Sequence, residues 1–323
     1  MKELKSDETF QLIEEMIDNI EKVVIGKRET IKLTIMALLA GGHVLLEDIP
    51  GVGKTMLVRA IAKSVGAVFK RIQFTPDLLP SDLTGMSIYN QKESQFEFRP
   101  GPLMGNIVLA DEINRTSPKT QSALLEGMAE GHITVDGETR NLPDPFFVLA
   151  TQNPIEYEGT YTLPEAQLDR FLMKLSIGYP SPEDELEILS RMIGKEPVNE
   201  IEAVMTMDQL KDLIKQVETI YVSESIKKYI VSIVTATRNH PLIRLGISPR
   251  GTLGILKAGQ ACALLEQRDF IVPDDVKKIA PYVMGHRIVL NPEASYSRTR
   301  IEDIITEIIE QVKIPVSARD SVK

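Results

Sequence analysis

The sequence predicts an α/β fold, with a mostly parallel sheet flanked by helices and a smaller, all-helical domain after it. Short apolar runs alternate with helical patterns from about residue 40 to residue 178, as parallel strands joined by helices do. At 178-GYPSPEDE-185 two prolines interrupt the chain, and only helical patterns follow. The chain of 323 residues is also longer than one hydrophobic core usually serves. We therefore expect two domains, residues 1–179 with N-terminal helices and residues 180–323.

Five strands are predicted in the first domain, bounded by Gly, Pro or Asn. The runs are HVLLE (43–47), VFKRIQF (68–74), NIVLAD (106–111), FFVLAT (146–151) and KLSIG (174–178). Between them, segments 54–65 and 117–130 repeat apolar residues every three or four positions and predict amphipathic helices. In the second domain, helices are predicted over 182–194, 207–219, 223–239, 249–267 and 297–312.

Two insertions interrupt the first domain. Both 95-QFEFRPGPLMG-105 and 132-HITVDGETRNL-142 alternate apolar and polar residues, and Asp136-Gly137 is a strong signal for a two-residue hairpin turn. We expect both insertions to project from the sheet as loops or ribbons. A solvated hairpin without a binding role is the alternative interpretation.

Composition limits the classes of function. The chain is 43% hydrophobic and 26% charged, as ordinary soluble globular proteins are, and its net charge of −9 disfavours a large nucleic-acid footprint. The N-terminus has no apolar segment and no run reaches the ~18 residues of a membrane span, so we expect a cytoplasmic location. The single cysteine, Cys262, is expected to be a core residue, and the four histidines lack metal-ligand spacing.

The stretch 43-HVLLEDIPGVGKT-55 predicts a phosphate-binding loop between a strand and a helix. It matches G-x-x-x-x-G-K-[ST], except that Asp48 occupies the first glycine position. Gly51 and Gly53 supply the unusual backbone angles of such a loop. We interpret Asp48 as lying at the outer edge of the turn, where Pro50 already restricts the backbone. An incidental glycine-rich turn is the alternative. The predicted nucleotide contacts of the loop are Pro50, Gly51, Val52, Gly53, Lys54, Thr55 and Met56.

A second motif favours a catalytic loop over an incidental turn. The segment 106-NIVLADEIN-114 is an apolar strand that ends in Asp111 and Glu112. Lys54 would reach the β- and γ-phosphates, and Thr55 and Asp111 fit the ligands of Mg²⁺. Glu112 fits the base that polarises the attacking water. Acids after a strand also cap helices, which is the alternative for this pair.

These motifs resemble those of a known family. With 151-TQNP-154, 164-PEAQLDRF-171 and 248-SPR-250, they occur in the order and spacing of AAA+ ATPases. The chain is most similar to the MoxR branch, whose loop also has an aspartate at the position of Asp48. The resemblance runs from VVIGKRE at 23 to MGHRI at 284. It implies that the protein binds ATP and Mg²⁺ and hydrolyses ATP to ADP and phosphate.

The resemblance also implies roles for three further residues. Asn153 matches sensor 1, which helps to hold the water; Arg170 matches the arginine finger, which acts on ATP held by a neighbouring subunit; and Arg250 matches sensor 2. A turn-forming asparagine before Pro154 is the alternative for the first of these. Arg115 is a rival trans-acting arginine, and the sequence does not separate it from Arg170.

The position of Arg250 has a physical argument of its own. Ser248 is a natural N-cap and Pro249 a natural first residue of a helix, so Arg250 falls in the first turn. The helix dipole disfavours a cation there, and a nearby anion would explain it. A solvated arginine is the alternative interpretation.

The segment 23-VVIGKRE-29 matches the family loop that contacts adenine. By this resemblance Val24, Ile25 and Gly26 belong to the nucleotide site. Packing of Val24 and Ile25 under the sheet is the alternative, since both are strongly apolar.

The MoxR resemblance implies an oligomeric, chaperone-like machine that remodels or matures a client protein. Such machines are usually hexameric rings, in which the two insertions usually face the pore or the partner. A hinge near 178–182 would let the lid move. The partner often bears a von Willebrand factor A domain. Its D-x-S-x-S signature does not occur in this sequence, so such a domain would come from a separate chain.

Two other functions are carried as alternatives. A nucleic-acid motor would need basic hairpin tips, whereas HITVDGETR has no excess positive charge. A scaffold that binds ATP without turnover would have no use for the water-polarising acid of the Asp111-Glu112 pair.

Overall fold

The computed structural model describes residues 6–153, 160–191, 196–296 and 299–314. Its strands are β1 (Val44–Glu47), β2 (Phe69–Gln73), β3 (Gly85–Asn90), β4 (Gln95–Pro100), β5 (Ile107–Asp111), β6 (His132–Val135), β7 (Glu138–Asn141), β8 (Phe147–Gln152), β9 (Met173–Leu175), β10 (Ile243–Leu245) and β11 (Val289–Leu290). Its helices are α1 (Ser6–Glu21), α2 (Arg28–Leu39), α3 (Lys54–Ser64), α4 (Pro80–Thr84), α5 (Pro118–Glu130), α6 (Glu165–Leu168), α7 (Pro182–Arg191), α8 (Pro197–Glu200), α9 (Met207–Thr219), α10 (Glu224–Asn239), α11 (Pro249–Leu265), α12 (Pro273–Met284), α13 (Pro292–Tyr296) and α14 (Ile301–Gln311). Parts of two predicted helices, 192–194 and 297–298, lie outside the described residues, as does Pro154.

The five predicted strands form one sheet. Its order is β2, β5, β8, β1 and β9, and every neighbouring pair is parallel. The predicted α/β fold is therefore confirmed. Because all five strands run the same way, their carboxyl ends lie at one edge, where open parallel sheets bind ligands.

The sheet is covered on both faces. Val44 and Leu46 of β1 belong to the larger apolar cluster, whereas Leu45 belongs to the smaller cluster on the other side. The alternation follows from the two-residue period of a strand. Burial on both sides explains why the central strands β1, β5 and β8 are almost continuously apolar, whereas the edge strand β2 exposes polar side chains.

Where the structure describes the second part of the chain, its regular elements are helices and one short ribbon of two strands. Helices α9, α10 and α11 lie where the sequence predicts them, to within two residues. The prediction missed α12 and the antiparallel pair of β10 and β11, so the domain is not entirely helical. Strands of three and two residues are too short to show a period of two.

The lid and the core share apolar contacts. The larger cluster contains residues from α1, α2 and α3 together with α11, α12 and α14. Cys262 lies in this cluster and is fully buried, as predicted. None of the described helices is long and apolar enough to cross a bilayer.

The second insertion is a hairpin, whereas the first, predicted at 95–105, supplies only the second strand of a hairpin that begins at Gly85. β3 pairs with β4, and β6 pairs with β7. Asp136 and Gly137 both have positive φ, which confirms the two-residue turn. The guanidinium of Arg140 lies 4.1 Å above the ring of Phe98, so the two hairpins touch.

Candidate active site

The predicted phosphate loop joins β1 to α3. Gly51 has φ +86° and Gly53 has φ +90°, and a Cβ at either position would meet nothing within 4 Å. The requirement for glycine is therefore conformational, not one of space. α3 begins at Lys54, so its first N–H groups and the positive end of its dipole face the loop.

Asp48 is buried, and its side chain ties the loop to the segment after β9. One carboxylate oxygen accepts hydrogen bonds from Ser176 Oγ at 2.9 Å and Gly178 N at 3.1 Å, and the other accepts from Ile177 N. The interpretation of Asp48 as an outer-edge residue was wrong. It occupies the glycine position because a neighbouring segment supplies three donors to its side chain.

Lys54 lies over the loop. Its Nζ donates a hydrogen bond of 2.8 Å to the backbone oxygen of Asp48. Burial lowers the pKa of Lys54, against the opposing effect of the carboxylates of Asp48, Asp111 and Glu112. Three acids near one lysine form a site suited to a bound cation together with a polyanion.

Asp111 ends β5, and two neighbouring strands hold its carboxylate. Thr151 Oγ1 in β8 donates to Oδ1 at 2.7 Å, and Arg71 Nη2 in β2 donates to Oδ2 at 2.7 Å. Neither partner was predicted from the sequence. Their strands end at the same edge as β5, and this shared edge was the available signal.

Glu112 follows in the left-handed region, with φ +59°. Its backbone N–H donates to Thr151 Oγ1 at 2.9 Å. Its Oε2 accepts from Gln73 Nε2 at 2.8 Å and from Arg115 Nη1 at 3.0 Å. A non-glycine residue with this backbone conformation is uncommon, and here its carboxylate reaches Gln73 at the end of β2.

These groups surround a cleft of about 240 Å³. It is lined by Pro50, Gly51, Gly53, Lys54, Thr55, Met56, Arg71, Asp111, Glu112, Thr151 and Asn153. Nine of these are sequence-predicted site residues, so the fold brings most of the expected set together. Val52, Val24, Ile25, Gly26, Arg170 and Arg250 are not among the lining residues.

The predicted adenine segment leads into α2, and its residues are not among those that line the cleft. Val24 and Ile25 are buried, and Val24 belongs to the larger apolar cluster, which is the packing that the alternative interpretation describes. Gly26 has φ +69°, and a Cβ there would lie 2.1 Å from Asp184 Oδ2. The segment therefore touches the start of α7, while its contact with a base stays a prediction.

Arg170 and Arg250 lie near the contact between core and lid. Arg170 follows α6, and its Nε is buried without a hydrogen-bond partner among the described residues. Ser248 Oγ accepts from Gly251 N at 3.0 Å and α11 begins at Pro249, which confirms the predicted cap. Arg250 is exposed in the first turn of this helix.

A phosphate loop at the carboxyl edge of a five-stranded parallel sheet, with a helical lid packed beside it, defines the class of AAA+ ATPases. The model of the ATPase family associated with various cellular activities (AAA) matches residues 43–173, and an AAA lid domain model matches residues 235–308.

Relatives narrow the class. The chain is 58% identical over 310 residues to the protein YeaC of Bacillus subtilis, covering 96% of this chain and 97% of that one. It is 42% identical over 312 residues to Chaperone MoxR1 of Mycobacterium tuberculosis, covering 94% of this chain and 82% of that one. The crystal structure of a protein assigned as an ATPase from Cytophaga hutchinsonii has a TM-score of 0.89 and 40% identity, and the match covers 96% of this chain and 97% of that one. The chain belongs to the MoxR family of AAA+ ATPases.

Proposed function

We propose that the protein binds ATP with Mg²⁺, hydrolyses it, and uses the cycle in a ring oligomer to remodel or mature a client protein. One observation carries the catalytic part. Lys54, Asp111 and Glu112, from two separate motifs, line one cleft at the carboxyl edge of the sheet. An ATPase needs a phosphate-binding lysine, a metal-associated acid and a base together.

Binding is assigned to the loop. The amides near 51–54, together with the Lys54 ammonium, would hold the phosphates. Thr55 and Asp111 would hold Mg²⁺, since a hydroxyl and a carboxylate are the hard oxygen donors that this ion takes. When bound, Mg²⁺ neutralises charge on the phosphate oxygens. Thr151 orients Asp111 through its 2.7 Å hydrogen bond.

The chemical step is assigned to Glu112. Glu112 and Asn153 together would position the attacking water, and the Glu112 carboxylate would accept its proton. Gln73 and Arg115 occupy Oε2 of this carboxylate, so water must use the other oxygen or displace one of them. Arg115 is engaged with its own subunit's Glu112, which favours Arg170 as the arginine presented to a neighbour.

Movement is assigned to the lid. Arg250 would report the state of the terminal phosphate, and the chain near 178–182 would act as the hinge. The three hydrogen bonds from the 176–178 segment to Asp48 support this assignment, because they connect the phosphate loop to the start of that hinge. Gly178 has φ +65°, a conformation that glycine adopts readily.

The proposed action on a client protein is supported by the relatives of the chain and by its exposed apolar side chains. One relative is named a chaperone. Met86, Ile88, Tyr89 and Phe96 expose apolar surface on the first hairpin, as a surface for protein contact would. A partner with a von Willebrand factor A domain, a hexameric ring and a cytoplasmic location stay predictions from the sequence.

A nucleic-acid motor is less well supported. Arg140 on the second hairpin pairs with Glu138 and lies over Phe98, so its charge is already engaged. A scaffold without turnover would leave the positioned Glu112 unused.

The test separates binding from hydrolysis. We expect Glu112→Gln to bind ATP·Mg²⁺ as wild type does and to lose hydrolysis by at least about a hundredfold, because only the base is removed. Lys54→Ala should lose binding as well. Glu126→Gln, an exposed change on α5, is the matched control and should hydrolyse normally. Full hydrolysis by Glu112→Gln would contradict the assignment.

A further inference from the structure

A buried lid arginine holds the core segment that contains Arg170. Arg287 follows α12 and is 6% exposed. Its Nε donates to Asp169 Oδ1 at 2.7 Å, and its Nη2 donates to the backbone oxygens of Asp169 at 3.2 Å and Phe171 at 2.6 Å. Its Nη1 donates to the backbone oxygen of Leu172 at 3.1 Å. The Arg287 guanidinium therefore binds the residues that precede and follow Arg170 in the sequence.

The same carboxylate reaches a second point on the lid. Asp169 Oδ2 accepts a hydrogen bond of 2.8 Å from Ser248 Oγ. That hydroxyl also caps α11, whose first turn carries Arg250. Asp169 thus joins the Arg170 segment to the end of α12 and to the start of α11.

Two glycines of α11 allow Arg287 and Leu172 to pack closely against this helix. A Cβ at Gly251 would lie 3.0 Å from Arg287 Cδ, and a Cβ at Gly254 would lie 3.3 Å from Leu172 Cδ1. Glycine is unfavourable inside a helix, so two such residues on this face indicate that close approach is required there. The contact between lid and core is therefore tightly packed as well as hydrogen-bonded.

The ion pair is also hard to open. Burial lowers the pKa of Arg287, the hydrogen bond and charge of Asp169 raise it, and the nearby charge of Arg250 lowers it. Separating the pair would leave a buried charge without its partner, which is strongly unfavourable. The segment at 169–172 is also held by the core, where Leu172 N donates to the backbone oxygen of His43 at 2.8 Å and Phe171 is buried in the smaller apolar cluster. The pair therefore fixes this segment between the core and the lid.

We propose that Arg287 and Asp169 are positioning residues that hold the Arg170 segment between the core and the lid, so that the placement of the arginine offered to the neighbouring subunit depends on the position of the subunit's own lid. The inference rests on the proposed trans role of Arg170. Loss of the Asp169–Arg287 pair should misplace Arg170. It should therefore impair hydrolysis in the neighbouring subunit's site and not in the variant subunit's own site.

Mixed rings test this consequence. Arg170→Ala subunits keep their own site but offer no arginine, whereas Glu112→Gln subunits have a dead site but offer an intact arginine. Each alone should be inactive, and the mixture should hydrolyse ATP. We expect Glu112→Gln/Arg287→Lys subunits to restore the Arg170→Ala partner's rate about tenfold to a hundredfold less well, the range that a small misplacement of a catalytic group costs.

Two further variants control the experiment. Glu112→Gln/Asp169→Asn removes the charge of the other partner and should fail in the same way. Glu112→Gln/Arg268→Lys is the matched control, since Arg268 forms another lid ion pair, with buried Asp275. It should restore the rate fully. Sizing and thermal unfolding verify that each variant folds and enters the ring.

The outcomes are distinct. Poor rescue by both the Arg287 and the Asp169 variants, with full rescue by the Arg268 variant, supports the inference. Full rescue by the Arg287 and Asp169 variants overturns it and leaves the proposed function standing. Absence of rescue by Glu112→Gln alone overturns the trans role of Arg170 and the inference with it. Failure of both variants to assemble assigns the pair to folding and also overturns the inference.

Discussion

Asp48 illustrates how one residue departs from a common motif without loss of the loop. Its carboxylate accepts three hydrogen bonds from the 176–178 segment, and its backbone oxygen accepts one from Lys54. A glycine would give the loop freedom but leave two backbone donors without this partner. The aspartate instead fixes the loop against the segment that follows β9.

The first prediction follows from these contacts. Asp48→Gly restores the common motif, yet it should lower the free energy of unfolding by about 3 kcal/mol, because hydrogen bonds to a buried carboxylate are lost. Asp48→Asn keeps the shape of the side chain, and its free energy of unfolding should lie between those of wild type and Asp48→Gly. Urea denaturation measures both. A glycine variant as stable as wild type would contradict this account of the loop.

The sequence could predict the loop but not this use of Asp48. Gly51, Gly53 and Lys54 are recognisable because their roles depend on local backbone geometry. The role of Asp48 depends on β9 pairing beside β1, which brings residue 177 to it across 129 positions. Arg71, Gln73 and Thr151 were missed for the same reason, since each acts across neighbouring strands.

A second prediction at the residue scale concerns His43. Its Nδ1 accepts from Val148 N at 3.1 Å, so its Nε2 donates to the backbone oxygen of Met128 at 3.1 Å and the ring is neutral. Burial lowers its pKa from 6.5 to about 4. The unfolded chain therefore binds a proton between these values while the folded protein does not, and stability must fall as pH falls through this window.

The size of this effect is up to about 3 kcal/mol between pH 6.5 and pH 4. His43→Gln should show a shallower loss of stability with acid in urea denaturation at several pH values. Burial also lowers the pKa of His286, which acts in the same direction, so the slope should fall without vanishing. An unchanged slope would contradict the assignment to His43.

At the scale of the element, two glycines of α11 differ in the space around them. A Cβ at Gly251 would lie 2.6 Å from Ile247 Cγ2, which is too close for a buried side chain to accommodate without movement. A Cβ at Gly259 would lie 3.5 Å from Ile271 Cδ1, an ordinary contact. The two glycines make a matched pair.

The third prediction compares them. Gly251→Ala should destabilise the protein by about 1 to 3 kcal/mol through overpacking, although alanine favours a helix. Gly259→Ala should stabilise it by up to about 1 kcal/mol, because only the helix preference changes. Thermal or urea unfolding distinguishes them. Equal effects of the same sign would contradict the close-packing argument.

Predictability from sequence differs among the elements. Strands β1, β5 and β8 were found because their burial on both faces gives continuous apolar runs. The edge strand β2 is mostly exposed, and it was found from its apolar residues and the Gly and Pro that flank it. Helix α12 was missed, and Pro281 lies inside it, where proline usually ends a helix. Packing of α12 against α11 outweighs that local preference, which no local pattern reveals.

At the scale of the whole molecule, the lid rests on the core in two ways. The larger apolar cluster contains residues of α1 and α2 and of α11 and α12, and the Asp169–Arg287 ion pair also links the core to the lid. A lid held in this way should move by small rotations of packed helices and not by wide opening. The division at residue 179 stays a prediction, since the apolar cluster crosses it.

Among the described residues, Lys54, Asp111 and Glu112 line the cleft and Arg170 does not. The proposed trans role of Arg170 is consistent with this separation. The net charge of −9 and the paired Arg140 make a protein client a better match than nucleic acid.

The most direct test of this account is the rate of ATP hydrolysis per subunit as a function of protein concentration, with a sizing run in ATP·Mg²⁺. The account predicts a rate that climbs as the ring assembles and that Glu112→Gln abolishes. Arg170→Ala should assemble yet hydrolyse at least about a hundredfold more slowly, as loss of an arginine finger does. A rate independent of concentration in a protein that remains monomeric would contradict a site completed between subunits.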